Sequence, residues 1–88
     1  MKIYIVGDSG PEHNSIFSIH KTYKGALGSW NKLRKKLLSE AKYHLKKSDK
    51  WSRDIYKRIV KNLACTDPKK IDNYPHETPY ISEYKLEE

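Results

Sequence analysis

The sequence TYKGALGSWNKLRKKLLSEAKYHLKK, at residues 22–47, has the apolar periodicity of an amphipathic helix. Apolar residues recur along it at steps of three and four, which places them on one side of a helix with 3.6 residues per turn. Lysines recur with the same spacing on the opposite side. We therefore predict one face for packing and one for water or negative charge. The packing positions are Ala26, Trp30, Leu33, Leu37 and Ala41, flanked by Leu27, Leu38 and Leu45.

Capping residues mark the start of this helix and predict a second one. Thr22 stands where an N-cap belongs. Ser48 and Asp49 interrupt the periodicity, and either could cap a helix that runs to about residue 64. We predict an αα-hairpin packed on a sheet with both apolar stripes buried; a single long helix through Ser48 ranks second. The stripe of the second helix consists of Trp51, Ile55, Ile59 and Leu63.

Three segments outside the helices have strand character. Residues 2–6 are β-branched or aromatic at both alternating positions, which is typical of a central strand. Residues 7–14 are dense in turn formers and predict a connecting loop, while 15–20 predict a second strand. After a Pro-rich loop, residues 80–86 predict the last strand. The expected fold is α+β, a single domain with a three-stranded antiparallel sheet covered on one face by two helices, in the order β-β-α-α-β.

Positive charge is concentrated in the predicted helices. The chain has a formal net charge of +7, and residues 21–61 hold 14 of its 18 Lys and Arg against three acidic residues, a local charge of +11. Ten aromatic residues in so short a chain argue against a disordered polyelectrolyte. A clustered basic surface favours anionic partners such as nucleic acid, nucleotides or an acidic protein face. The alternative is a solvated helix face with no partner.

Cysteine usage and hydropathy indicate where the protein works. Cys65 is alone, so no intramolecular disulfide can form and a reducing compartment is expected. The N-terminal apolar run is too short for a signal peptide, and no stretch approaches the roughly 20 apolar residues of a membrane span. We expect a cytoplasmic protein with no membrane association.

Sequence signals for catalysis, cofactors and metals are weak. The GDSG at residues 7–10 follows a strand but lacks the Gly-Lys-Ser/Thr ending of a phosphate-binding P-loop. The histidines and Cys65 share no metal-ligand spacing, so we expect neither a metal nor a cofactor. One group of residues around the first hairpin could supply acid–base chemistry for phosphodiester cleavage, which makes a small nuclease the third functional hypothesis. The group consists of Asp8, Glu12, His13 and His20.

The Lys-rich helix pair is the clearest functional feature. Rows of Lys suit contact with backbone phosphates through point charges, and only three of the 18 basic residues are Arg, which base-specific reading favours. An aromatic residue among the lysines could stack on a base or sugar. The predicted anion- or partner-binding residues are Lys32, Lys35, Lys42, Tyr43, Lys46, Lys50, Arg53 and Lys57.

The two ends of the chain resemble small proteins encoded by bacteriophages. The resemblance consists of KIYIV at residues 2–6, Thr22 with Ala26 at the helix start, and YISEYKLEE at residues 80–88. These motifs are structural, and the central Lys-rich helices lie outside them. The resemblance implies a phage accessory protein, a class rich in stoichiometric inhibitors of host enzymes and defence systems.

Together these features suggest a non-enzymatic, phage-type protein that stoichiometrically inhibits a host nucleic-acid-handling or CRISPR-type defence machine through its Lys-rich helical face. Its partner would be a host protein or protein–nucleic-acid complex in the host cytoplasm. The alternative is an accessory protein that binds DNA or RNA directly and without sequence preference. The oligomeric state stays open, although an exposed edge strand at residues 80–86 could pair across a two-fold axis in a homodimer.

Overall fold

A computed structural model describes residues 1–9, 14–71 and 78–86. The strands form one antiparallel sheet in the order β2-β1-β3, and this confirms the predicted α+β fold, with the first strand at the centre. The elements, in chain order, are β1 (Lys2–Ser9), β2 (Asn14–His20), α1 (Tyr23–Lys47), α2 (Lys50–Leu63) and β3 (Thr78–Lys85).

β1 is longer than the sequence predicts. Residues 7–9 pair with β2 on one side and with β3 on the other, so the predicted loop over residues 7–14 is wrong for 7–9 and for Asn14. Neighbouring strands satisfy the backbone groups of this segment on both sides, and that pairing outweighs its local turn preference. Residues 10–13 lie outside the described residues. A register shift between Val6 and Gly7 leaves Phe17 as the extra residue of a β-bulge in β2.

α1 begins at its predicted cap and buries its predicted stripe. The Thr22 hydroxyl accepts the Gly25 N–H at 3.1 Å. Contacts with the strands come from the first half of the helix, where the Tyr4 and Tyr23 rings meet edge to face at 5.7 Å between centroids. All five predicted packing positions are buried, and they form the core with Val6, Leu63 and Ile71.

α2 is a separate helix that runs antiparallel to α1. The Asp49 carboxylate accepts the backbone N–H groups of the first turn at 3.0 and 3.1 Å, so the second helix has its own cap and the single-helix alternative is excluded. Arg34 donates a hydrogen bond to the Leu63 carbonyl, and the His44 ring stacks on Tyr56. As the residue number increases along α1, the number of the contacting residue in α2 decreases, as expected for antiparallel helices.

Only the C-terminal half of the α2 stripe is buried, so the prediction of two buried stripes is half wrong. Leu63 is buried and Ile59 is half-buried, but Trp51 is 89% and Ile55 58% exposed. The sheet lies against the first half of α1, whereas α2 begins beside the far end of that helix, where no layer covers its apolar residues. The molecule is accordingly elongated, 54 × 23 × 19 Å. We call the uncovered end of the helix pair, residues 43–55, the hairpin tip.

Candidate binding surface on the helix pair

The antiparallel packing gives the helix pair two long sides. Each residue turns the helix by about 100° around its axis. Because the two helices are antiparallel, residues that are rotated away from the α1–α2 contact in the same sense, each about its own helix axis, lie on the same side of the pair. We call one the basic side; its members are Lys35, Lys42, Lys46, Arg53 and Lys57. We call the other the groove side; its members are Glu40, His44, Trp51, Ile55 and Ile59.

The basic side draws cations from both helices and all five are exposed. Lys35 and Lys42 are two turns apart on α1, about 10 Å along its axis, and Arg53 and Lys57 are one turn apart on α2, about 6 Å. The nearest acidic residues of the helices lie elsewhere, Glu40 on the groove side and Asp54 on the outer surface of α2. The side is therefore a strip of uncompensated positive charge that fits an anionic surface.

Two of the predicted binding residues lie apart from this strip. Lys32 is on the outer surface of α1, away from α2, whereas Lys50, one turn before Arg53, extends the strip to the hairpin tip. Tyr43 lies toward the opposite flank of α1, where the Lys47 ammonium sits over its ring at 4.9 Å from the centroid. Tyr43 is 55% exposed, so one face of the ring remains open to a partner.

The groove side is shallow and apolar along its centre, and its outer edge carries the exposed cations Lys36, Lys47 and Arg58. An open groove of about 140 Å³ runs between the helices, well below the roughly 300–1,000 Å³ of small-molecule pockets. It suits a single inserted side chain of a partner better than a substrate. Trp51 and Ile55 continue the same side toward the hairpin tip. The groove is lined by Leu37, Glu40, Ala41, His44, Tyr56, Ile59 and Leu63.

Among the residues proposed for nuclease chemistry, His20 makes structural contacts. The His20 ring hydrogen-bonds the Ser18 hydroxyl at 2.8 Å, and Ser18 hydrogen-bonds Ser29 of α1 at 2.6 Å, so this chain of contacts ties β2 to the helix. Glu12 and His13 lie outside the described residues. In the part of the chain that the structure describes, no group of three or more His, Cys, Asp or Glu could hold a metal ion.

Sequence reasoning missed two features of this region. Arg34 lies inside the buried stripe of α1 with only 6% exposure, and its guanidinium holds the last residue of α2. Its position one turn after Trp30 is the signal that places it there. The exposure of Trp51 and Ile55 had no sequence signal, because a periodic stripe does not reveal whether a neighbouring layer reaches it.

The sequence matches no protein-family model, and no characterised protein or solved structure is significantly similar to it. None of the described helices is long and apolar enough to cross a lipid bilayer. Function is therefore inferred from the geometry and charge of the helix pair.

Proposed function

We propose that this protein is a non-enzymatic binding protein that blocks a host nucleic-acid-handling machine by docking its projecting helix pair on an anionic surface. The basic side supplies the attraction, and the complex is stoichiometric. The resemblance of the chain ends to phage-encoded proteins supports a host complex as the target. The observation that carries the proposal is the strip of five exposed cations that two antiparallel helices place on one side of an arm extending beyond the sheet.

The charge of the arm suits rapid capture of an anionic partner. Uncompensated cations on a protruding surface raise the association rate with an anionic partner and make binding depend on salt. Lys contributes point charges without a fixed geometry, so this strip would recognise charge density and not a base sequence. An acidic protein patch and a phosphate backbone both meet that description.

The hairpin tip favours a protein partner over free nucleic acid. Trp51 and Ile55 are exposed on the groove side, and large aromatic and aliphatic side chains of this kind anchor protein interfaces by filling pockets. Backbone phosphates offer Ile55 nothing to contact. Direct nucleic-acid binding is the second candidate, and the open faces of Tyr43 and Trp51 support it because aromatic rings stack on exposed bases.

The proposal is tested with two matched triple variants. The basic-side variant carries Lys35→Gln, Lys42→Gln and Lys57→Gln. The control variant carries Lys21→Gln, Lys69→Gln and Lys70→Gln, which removes the same charge from exposed positions outside both helices. Each protein is immobilised through a tag, and a host lysate treated with nuclease is passed over it. We expect the wild type and the control to retain the same host complex, and the basic-side variant to lose it.

A parallel titration with single- and double-stranded DNA and RNA separates the two candidates. At about 50 mM salt the blocking hypothesis predicts weak binding, whereas direct binding predicts micromolar or tighter affinity that falls steeply by about 200 mM. Tight nucleic-acid binding without a host protein in the pull-down would overturn the proposal in favour of the second candidate. Equal retention by both triple variants would exclude a role for the basic side.

A further inference from the structure

The sheet has a face that α1 leaves uncovered. Val6 and Ile81 are opposite each other and lie in or against the core, and Ser18 bonds to α1, so this set marks the helix side. Side chains alternate along a strand, so their neighbours point to the other side. We call that side the outer sheet face. It consists of Ile3, Ile5, Gly7, Ile16, Ile19, Tyr80, Ser82 and Tyr84, and at one end of Ser9 and Thr78, where Thr78 is fully buried.

The outer sheet face is apolar and carries no charge. Ile16 is 64%, Ile19 59% and Tyr84 53% exposed. An antiparallel sheet with one solvated face normally places polar residues outward and apolar residues inward. Here the charged residues of the three strands all lie on the helix side, although a third of the chain is charged. They are Lys2, Asp8, Glu83 and Lys85.

Two of these four charges pair with each other on the helix side. Lys2 and Glu83 form an ion pair of 3.1 Å, and the hydrogen bond to Glu83, with the charge of that carboxylate, raises the pKa of Lys2 above its ordinary value. The strand pattern thus keeps charge off the surface that faces away from the helices. Such a pattern is typical of a surface that is covered in the working protein.

We infer that a second copy of this chain covers the outer sheet face, in a homodimer whose two sheets stack face to face. A two-fold interface brings the same patch of both subunits together, so the patch must be complementary to itself. A neutral apolar face meets that condition, and the Lys-rich helix pair does not. An anionic partner would find no cation on this face to recognise.

Stacking the sheets also keeps the two basic helix layers apart. Packed sheets are about 10 Å apart and a helix lies about 10 Å above its sheet, so the two α1 layers would be about 30 Å apart. That separation exceeds three Debye lengths at physiological salt, where one length is about 8 Å. The positive charge of the chain is therefore screened in this arrangement, and both basic sides stay free.

The size of the face sets the strength of the dimer. Three strands about 4.8 Å apart, with eight residues rising about 3.3 Å each, give a footprint of roughly 14 × 26 Å. This flat area, about 360 Å² on each subunit, is below the roughly 600 Å² per partner of the smallest standard interfaces, so we expect a weak dimer with a dissociation constant no tighter than micromolar. The inference does not depend on the proposed function, because none of these residues belongs to the helix pair.

Sedimentation equilibrium with a matched pair of variants tests it. Ile19 and Ile55 are 59% and 58% exposed, one on the outer sheet face and one on α2, so Ile19→Lys and Ile55→Lys make the same change at equal exposure. Over loading concentrations of about 5 to 500 µM we expect the wild type and Ile55→Lys to pass from monomer to dimer, and Ile19→Lys to dissociate at least about tenfold more readily. Tyr84→Lys on β3 should weaken the dimer in the same way, and thermal melts establish that each variant is folded.

Several outcomes would overturn the inference. A wild type that stays monomeric throughout, or that assembles beyond a dimer without limit, removes the closed two-fold interface. A dimer that survives Ile19→Lys rejects face-to-face stacking and favours pairing through the β3 edge, since Ile19 is on the opposite edge strand. A dimer that Ile55→Lys breaks instead would move the interface to the helix pair.

Discussion

Arg34 links the two helices from inside the core. It donates a hydrogen bond of 2.8 Å to the carbonyl of Leu63, the last residue of α2, and its guanidinium lies 5.9 Å from the centre of the Trp30 ring. A cation at a helix C-terminus interacts favourably with the macrodipole and satisfies a carbonyl that has no partner within the helix. An apolar residue at this position would fill the space and leave that carbonyl unpaired.

We therefore expect Arg34→Met to lower the free energy of unfolding by about 2 kcal/mol, because a buried acceptor loses its donor. The neighbouring change Lys35→Met removes the same charge at an exposed position and should alter stability by less than about 0.5 kcal/mol. Urea titrations followed by the emission of the buried Trp30, in a Trp51→Phe background, measure both. Equal stability of the two variants would show that the bond to Leu63 contributes nothing net.

Gly7 and Gly28 differ in what surrounds them. A Cβ on Gly7 would meet the Ser15 carbonyl and lie 2.6 Å from the Tyr80 hydroxyl, whereas a Cβ on Gly28 would meet nothing within 4 Å. We expect Gly7→Ala to destabilise by about 1–3 kcal/mol through overpacking. Gly28→Ala should stabilise by up to about 1 kcal/mol, since Ala is the better helix former. Thermal melts that show shifts of the same sign would contradict this reading of the sheet centre.

The elements differ in how far the sequence predicts them. α1 is predicted with its cap and its five buried positions, because its apolar stripe meets both the sheet and α2. The apolar stripe of α2 is equally periodic, yet only its C-terminal half finds a neighbour. Periodicity reports that a side is apolar, and the position of the next layer decides whether that side is buried. β1 likewise gains residues 7–9 from pairing on both sides, which no local preference signals.

The start of α2 depends on the Asp49 cap. Its carboxylate accepts two backbone N–H groups, and a chain with this much positive charge also gains from an anion at a helix N-terminus. We expect Asp49→Ala to lower the free energy of unfolding by about 1 kcal/mol and Asp49→Asn, which keeps an acceptor, by less than half of that. Chemical denaturation measures the difference, and equal losses would mean that only the charge matters.

A substitution of Trp51 should affect partner binding without affecting the stability of α2. At 89% exposure it contributes no packing, so Trp51→Ala should leave the free energy of unfolding within about 0.5 kcal/mol of wild type. If the hairpin tip anchors a partner, the same variant should retain the host complex at least about tenfold less well, as expected for an interface aromatic. The control is Phe17→Ala, an exposed aromatic at the bulge of β2. Loss of retention with Phe17→Ala alone would move the contact to the sheet.

At the scale of the whole molecule, charge and apolar surface are segregated. The helix pair carries 13 of the 18 Lys and Arg residues, and the outer sheet face carries none. The candidate site follows the same division: helical spacing predicts which lysines share a face of α1, but only the antiparallel packing of α2 adds Arg53 and Lys57 to it. Whether Tyr43 and Lys32 lie on that strip depends on which face of α1 contacts α2. The apolar stripe of one helix alone does not determine this.

This segregation predicts that the protein is stabilised by salt. Like charges on residues 21–61 repel one another in the folded arm, and added ions screen the repulsion. Raising NaCl from about 50 to 500 mM should increase the free energy of unfolding by about 1 kcal/mol, or about 4–8 °C in Tm for a chain of this size. The basic-side variant should be more stable than wild type at low salt and respond less to salt, while the control variant changes little.

The same measurement decides between a solvated face and a binding surface. If the strip only keeps the arm in water, the basic-side variant gains stability and loses no partner. If the strip serves binding, the variant gains free energy of unfolding but no longer retains the host complex. Such opposite effects on stability and binding are expected where a functional surface costs stability. A basic-side variant no more stable than wild type at about 50 mM NaCl would show that the cations are too far apart to repel appreciably. The strip would then be a weaker attractor for anionic partners than its charge count suggests.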